Sequence, residues 1–135
     1  MNSVRLPRPI IDELLRLAQD SPHEEICGLI SRDRRGFRRC FPVPNRAADR
    51  KHFFMLDPKE QIDAMRAMRE HGEELAAIFH SHPDSPPFPS PADIAQHEYP
   101  GLLYLIISLA GRGKPALRGF HIRGQAIEEI AIDPE

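Results

Sequence analysis

The sequence predicts a layered α/β (α+β) domain, with a curved, mostly antiparallel mixed β-sheet flanked by about three helices. Three observations carry this expectation. Six or seven short apolar segments with strand character are interspersed, in mixed order, with three segments of helical spacing. The glycine-containing stretches at 32–36 and 111–114 read as tight turns between neighbouring strands. At 135 residues, the chain is long enough for a real core and too short for two, so residues 1–135 form a single domain.

Taken in order, Ile10, Leu14, Leu17 and Ala18 recur at helical spacing and give a first helix that ends near Ser21-Pro22. "EEICGLIS" is a short buried strand, and "FRRCFPV" pairs with it across the Arg/Gly turn as a hairpin. "NRAADRKHFFMLDP" is a loop with a short extended piece at 53–56. Asp57 before Pro58 is an N-cap followed by proline at the first helical position. The helix it starts carries Ile62, Met65 and Met68 on one face and stops at His71-Gly72. "ELAAIFHSH" is a strand, "SPADIAQHE" a short helix closed by Pro100, and "LLYLIISLA" a continuous apolar strand near the sheet centre. "ALRGFHI" and "AIEEIAI" are the last two strands, with "GRGK" turning before the first of them.

The bulk properties exclude several classes. Net charge is −2 and the only basic cluster is Arg32, Arg34, Arg35, Arg38 and Arg39 around a turn, a solvated hairpin rather than a phosphate-binding surface. No nucleic-acid partner is expected. The longest apolar stretch, 102–110, is far short of the ~20 residues a membrane span requires, so no membrane partner is expected either. The N-terminus, with Arg5, Pro7, Arg8 and Pro9, lacks the apolar core of a signal peptide. With only two cysteines, the expected compartment is a reducing cytoplasm.

The chemistry concentrates in "IFHSHPDSPPFPSPAD", residues 78–93. On a strand, residues i and i+2 share a side, so His80 and His82 can aim both rings at one point with Ser81 turned away. Imidazoles ligate zinc at about 2.0–2.1 Å, and two convergent rings leave room for a third ligand and a water. Five prolines at 83, 86, 87, 89 and 91 stiffen the segment that follows. Ser90-Pro91-Ala92-Asp93 reads first as a helix cap, since serine at N-cap with an acid at N3 resembles a capping box. The same helix start puts Ser90 and Asp93 on nearly one face, which makes Asp93 a plausible third ligand. Glu24 and Glu25 open the strand before "ICGLI" and are ordinarily solvated there. If that strand runs beside the histidines, one of them lies near the metal as a general base. A structural site formed by Cys27, Cys40, His80 and His82 is the competing arrangement, though His-x-His is shorter than the usual finger spacing. His23, His52, His71, His97 and His121 lack a partner at ligand spacing.

Together these residues resemble the JAMM (MPN+) metalloprotease family. Glu25-Ile26-Cys27-Gly28 matches that family's Glu-x-x-Gly strand, "HSHP" is followed by six residues, and then comes "SPAD". The likeness extends to "VPN" before Phe-Phe-Met-Leu-Asp-Pro and to the apolar strand after the site. It implies a JAMM/MPN (cytidine deaminase-like) fold, zinc (Zn2+) held by His80, His82 and Asp93, Glu25 as general base in preference to Glu24, and Ser90 as donor to the oxyanion. It also implies that the Ser90 hydroxyl faces the site, with Pro91 lessening the need for a cap. The compact chain is similar to small bacterial Mec-type peptidases. The resemblance therefore implies hydrolysis of a peptide or isopeptide bond after the C-terminal Gly-Gly of a small β-grasp sulfur-carrier protein, ThiS/MoaD-like. Two other activities stand beside it: an isopeptidase that removes a prokaryotic ubiquitin-like tag, and a catalytically silent MPN scaffold. The oligomeric state, monomer or homodimer, is left open.

Overall fold

The computed structural model describes residues 2–111 and 113–135. Arg112, inside the expected "GRGK" turn, lies outside the described residues. The elements run β1 (Ser3–Leu6), α1 (Arg8–Asp20), β2 (Cys27–Asp33), β3 (Gly36–Val43), α2 (Pro58–Glu70), β4 (Glu74–His82), α3 (Pro91–Gln96), β5 (Leu103–Ser108), β6 (Ala116–Arg123) and β7 (Ala126–Pro134). All seven strands join one sheet in the order β1-β7-β6-β5-β4-β2-β3. β1–β7 and β4–β5 pair parallel and the other neighbours antiparallel, so the sheet is mixed and mostly antiparallel as expected. It curls until β1, at one end of the order, lies close to β3 at the other.

The curl creates two unlike faces. The inner face wraps α1: Ile10, Leu14 and Ala18 pack against Ile30, Ala77, Phe79, Leu105 and Ile107. These strand positions alternate along each strand, as a period of two requires. The outer face carries Leu29, Ile78, Tyr104 and Ile122 and is covered in part by α2 through Ala64 and Met68. The central strand is β5, buried along its whole length, which explains its uninterrupted apolar run.

Local signals set most boundaries. The Asp57 side chain accepts from the Glu60 amide at 2.9 Å, and Pro58 is the first residue of α2. α1 ends at Ser21, where the expected breaker stands. Three details differ from the sequence reading. β1 was not anticipated, because four residues are too few to show a period and its pairing partner lies far along the chain. Ile62 is 57% exposed, since the α2 stripe that reaches the sheet runs through Ala64 and Met68. β2 begins at Cys27, leaving Glu24 and Glu25 just ahead of the strand.

Gly28 has no room for a side chain. A Cβ there would run into the Phe41 carbonyl oxygen and the ring of the fully buried Phe79. The motif glycine is thus a packing requirement of the strand that begins just after Glu25. Gly28→Ala should destabilise the fold by about 1–3 kcal/mol, the usual range for overpacking a filled core. Thermal melting of variant and wild type measures this, and an unchanged midpoint would show that Phe79 has room to yield.

Candidate metal centre

Three chain segments meet at the C-terminal end of β4. Antiparallel pairing sets Cys27 opposite His80, and the Ser81 amide extends the ladder by donating to the Ile26 carbonyl at 2.9 Å. Continuing that register brings Glu25 opposite His82. On the other side, β5 pairs with His80 through Ile106 and with His82 through Ser108, so both histidines sit inside the sheet rather than at its edge. Their side chains point to the outer face, and both are almost fully buried, at 1% and 2% exposure.

The donor atoms converge. His80 Nε2 and His82 Nε2 lie 3.1 Å apart, and each also approaches Asp93 Oδ2, at 3.0 Å and 3.2 Å. Glu25 completes a group whose ligating atoms all lie within 4.8 Å of one another. The His–His–Asp triangle is close to the ~3.3 Å edge of a tetrahedron with ligand bonds of about 2.0–2.1 Å. The second nitrogen of His82, Nδ1, lies 2.8 Å from the Pro86 carbonyl and donates to it, which turns the lone pair of Nε2 inward. His80 stacks on Phe54 with ring centroids 4.3 Å apart, which fixes its plane. Among the described residues, Glu25 Oε1 and His80 Nδ1 are buried without a hydrogen-bond partner. An uncommitted buried carboxylate oxygen beside three convergent donors suits a bound cation and its water better than a closed polar network. The residues present fit a metal ion.

Electrostatics agree with that fit. Burial would raise the Asp93 carboxyl, but its polar contacts with the His80 and His82 rings hold it well below the usual carboxylate range. It therefore stays ionised, as a ligand must. Burial pulls His80 down, favouring the neutral ring that binds metal. Burial also lowers His82, yet the contacts with Asp93 and the Pro86 carbonyl outweigh it and leave that ring raised. Burial pushes Glu25 from 4.5 up to about 8, with the His82 charge opposing and Asp93 adding to the rise.

The proline segment behaves as a wall. Pro83 and Pro89 are buried, Ser108 Oγ donates to the Ser85 carbonyl at 2.6 Å, and Phe88 packs edge-on against Phe120. Ser90 caps α3: its Oγ accepts from the Asp93 amide at 3.1 Å, while Asp93 Oδ2 accepts from the Ser90 amide at 2.9 Å. Pro91 thus does not release Ser90 from capping. An accepting hydroxyl still has its own proton to donate, so the cap leaves a donor available. Glu24 is exposed and faces Arg50 at 3.8 Å, so of the two glutamates only Glu25 enters the site.

The cysteines do not join the histidines. Cys27 is buried with its thiol on the Val43 carbonyl at 3.3 Å. Cys40 pairs with Ile30 and packs on the inner, α1 face, opposite to the imidazoles. Of the remaining histidines, His52, His71 and His97 bond locally, to Asp49, Ala67 and Ile94. Beside the donors a cavity of about 340 Å³ opens on the outer face, floored by Ile78, Ile106 and Ile122, with Phe54 and Tyr104 as walls.

Residues 7–120 match the family of prokaryotic homologs of the JAB domain. The chain belongs to that family. It is 36% identical over 97 residues to a desampylase of Haloferax volcanii, covering 70% of each chain. It is 26% identical over 125 residues to the CysO-cysteine peptidase of Mycobacterium tuberculosis, covering 92% of this chain and 86% of the relative. A Desulfitobacterium hafniense protein known from its solution structure superposes with a TM-score of 0.85 at 35% identity, covering 97% of this chain and 92% of that one. A JAB1/MPN domain protein of Archaeoglobus fulgidus shares the fold at a TM-score of 0.64 and 16% identity, covering 98% of this chain and all of that one. The resemblance to JAMM/MPN+ peptidases drawn from the motif thus holds for family and fold. Among the described residues, no helix is long and apolar enough to cross a membrane.

The sign of one pH effect follows from Glu25. Its carboxyl titrates near 4.5 when unfolded and near 8 when folded without metal. The folded state therefore holds the extra proton between those values. The contribution of Glu25 to the stability of the metal-free protein should be full below about pH 4.5 and be lost as pH rises through about 8. Glu25→Gln, isosteric and uncharged, should melt above the wild type near pH 8 in chelator, with the gap closing toward about pH 5. Thermal melts at both pH values decide it. A gap independent of pH would show that Glu25 is not the desolvated group.

Proposed function

We propose that this protein is a zinc-dependent JAMM-type peptidase that hydrolyses the peptide or isopeptide bond after the C-terminal Gly-Gly of a small ubiquitin-like or sulfur-carrier protein of the β-grasp kind. The observation that carries the reading is the triangle of His80 Nε2, His82 Nε2 and Asp93 Oδ2, with the uncommitted Glu25 carboxylate beside it. The substrate class rests on the relatives, a desampylase and a CysO-cysteine peptidase. A cytoplasmic setting fits the two free cysteines.

His80, His82 and Asp93 would hold the zinc. When bound, the ion supplies a Lewis acid that brings the pKa of a water to about 7 and polarises the scissile carbonyl. Glu25 takes the proton of the attacking water on its carboxylate and returns it to the departing amine as the C–N bond breaks. Ser90 donates its free hydroxyl proton to the carbonyl oxygen as negative charge develops there. The tail reaches the site as an extended segment. Among the described residues, the Phe54 peptide N–H and C=O have no partner within the chain, although Phe53 and Met55 on either side are held. A strand added there would pair with those groups, and glycines at its end would pass between Phe54 and the proline wall without a side chain to obstruct them.

Mass spectrometry of the protein purified without chelator or metal-affinity tag should find one zinc per chain, and little in His82→Ala. Chelation should abolish cleavage of a carrier conjugate and zinc should restore it. Glu25→Gln should keep the metal and lose about 10²–10⁴ in kcat. Ser90→Ala should lose about 10²–10³. Offering the carrier both as a lysine-linked conjugate and as a linear amino-acid adduct separates a deconjugating isopeptidase from a carrier-processing peptidase. A zinc-loaded protein that cuts neither would be the binding scaffold instead.

A further inference from the structure

Glu25 is not on a strand, so something other than the sheet ladder must hold it over the metal ligands. Its own peptide is gripped from two sides. On the β4 side, Ser81 Oγ accepts from the Ile26 amide at 2.8 Å and donates to the Glu24 carbonyl at 3.4 Å. On the other side lies the long connection between β3 and α2. There the Arg50 carbonyl accepts the Glu25 amide at 2.7 Å, and Asn45 Nδ2 donates to the Glu25 carbonyl at 2.9 Å.

Asn45 does more than close that contact. The same Nδ2 donates to the Phe53 carbonyl at 2.9 Å, and its Oδ1 accepts from the amides of Ala47 at 2.9 Å and Met55 at 3.0 Å. Two carbonyls face the NH2 and two amides face the oxygen, so only one orientation of the side chain satisfies all four. Asn45 also forms an isolated antiparallel bridge with Leu56. One half-buried amide therefore fastens Glu25 to residues 53–56, which line the cavity and supply the ring that stacks on His80.

We infer that Asn45 is a positioning residue for the reaction, holding Glu25 and the cavity wall at 53–56 in a single frame. The inference rests on Glu25 acting as the base. The geometry makes the requirement strict: a general base has to sit within hydrogen-bond reach of the proton it removes, and a displacement of about 1 Å can cost on the order of 10²-fold in rate. No group other than Asn45 among the described residues bridges Glu25 to that wall by side-chain hydrogen bonds.

The test is a double-mutant cycle on the zinc-loaded protein with a carrier conjugate as substrate. Asn45→Ala and Asn45→Asp are each combined with wild-type Glu25 and with Glu25→Asp, which leaves a carboxylate one methylene short. Zinc per chain is measured throughout. Asn45→Asp keeps the oxygen that accepts from Ala47 and Met55 and loses the donor to the Glu25 and Phe53 carbonyls, so it releases Glu25 while retaining the loop's two amide contacts. Expected is a fall in kcat of about 10–100-fold for either variant with zinc retained, and less than about threefold further loss in the Glu25→Asp background. Equal factors in both backgrounds, an unchanged kcat, or failure of both variants to fold or hold zinc would overturn the inference. Full activity in Glu25→Gln would instead overturn the assignment of the base, whatever Asn45 does.

Discussion

Two imidazoles and a carboxylate are buried together at the end of β4, and much of the local structure follows from the need to make that tolerable. Burying polar groups without partners costs several kcal/mol, and more when one is charged. Here the groups answer one another. Asp93 is ionised beside both rings, the Pro86 carbonyl takes the outer proton of His82, and Phe54 covers the face of His80. What remains is a donor triangle open to a cation, with one oxygen of Glu25 and Nδ1 of His80 buried and unpartnered among the described residues. Such unpaired buried atoms are rare in folded proteins, which is why they point to chemistry rather than to packing.

The sheet supplies the rigidity. His80 is paired on both sides, to Cys27 of β2 and Ile106 of β5, and His82 is paired to Ser108 of β5, which fixes the backbone under both rings. Asp93 and Ser90 come from a helix of six residues, too short to hold itself in place. The capping box and the stiff proline segment take over that task, and the box uses the same carboxylate oxygen that faces the rings. The oxygen that caps α3 thus also faces both imidazoles, so the capping geometry leaves the ligand role proposed for Asp93 open to it.

The glutamate is placed differently. Glu25 hangs from loops rather than from the ladder, between Ser81 on one side and Asn45 with Arg50 on the other. Ser81 occupies the position that strand alternation turns away from the imidazoles, and it uses that side to pin the peptides on either side of Glu25. The Asn45 amide reaches across the β3–α2 connection to the cavity wall. The two imidazoles thus stand on the rigid sheet, Asp93 on a capped helix and Glu25 on a braced loop.

Much was legible from sequence alone where the signal is local. His-x-His at a strand end, Asp57-Pro58 opening α2, the breaker after α1 and the serine–acid spacing of α3 are short-range patterns with one dominant physical outcome. The motif spacing also singled out Glu25, His80, His82 and Asp93, which the fold brings within 4.8 Å. Other features needed the tertiary structure. β1 exists because β7 offers it an edge 128 residues along in the Ser3–Ala131 pairing. Ile62 is exposed because α2 meets the sheet along a neighbouring stripe. Gly28 was part of a motif, but its reason, the ring of Phe79, lies on another strand. Asn45 sits in a loop with no period to read, and four partners at separations from 2 to 20 residues give it meaning. The sequence determined which groups could do the chemistry, because side-chain type and strand or helix spacing are local properties. Which glutamate is buried, which amide braces it and where a cavity opens were decided by chain packing, since desolvation and hydrogen-bond partners depend on segments the sequence keeps far apart.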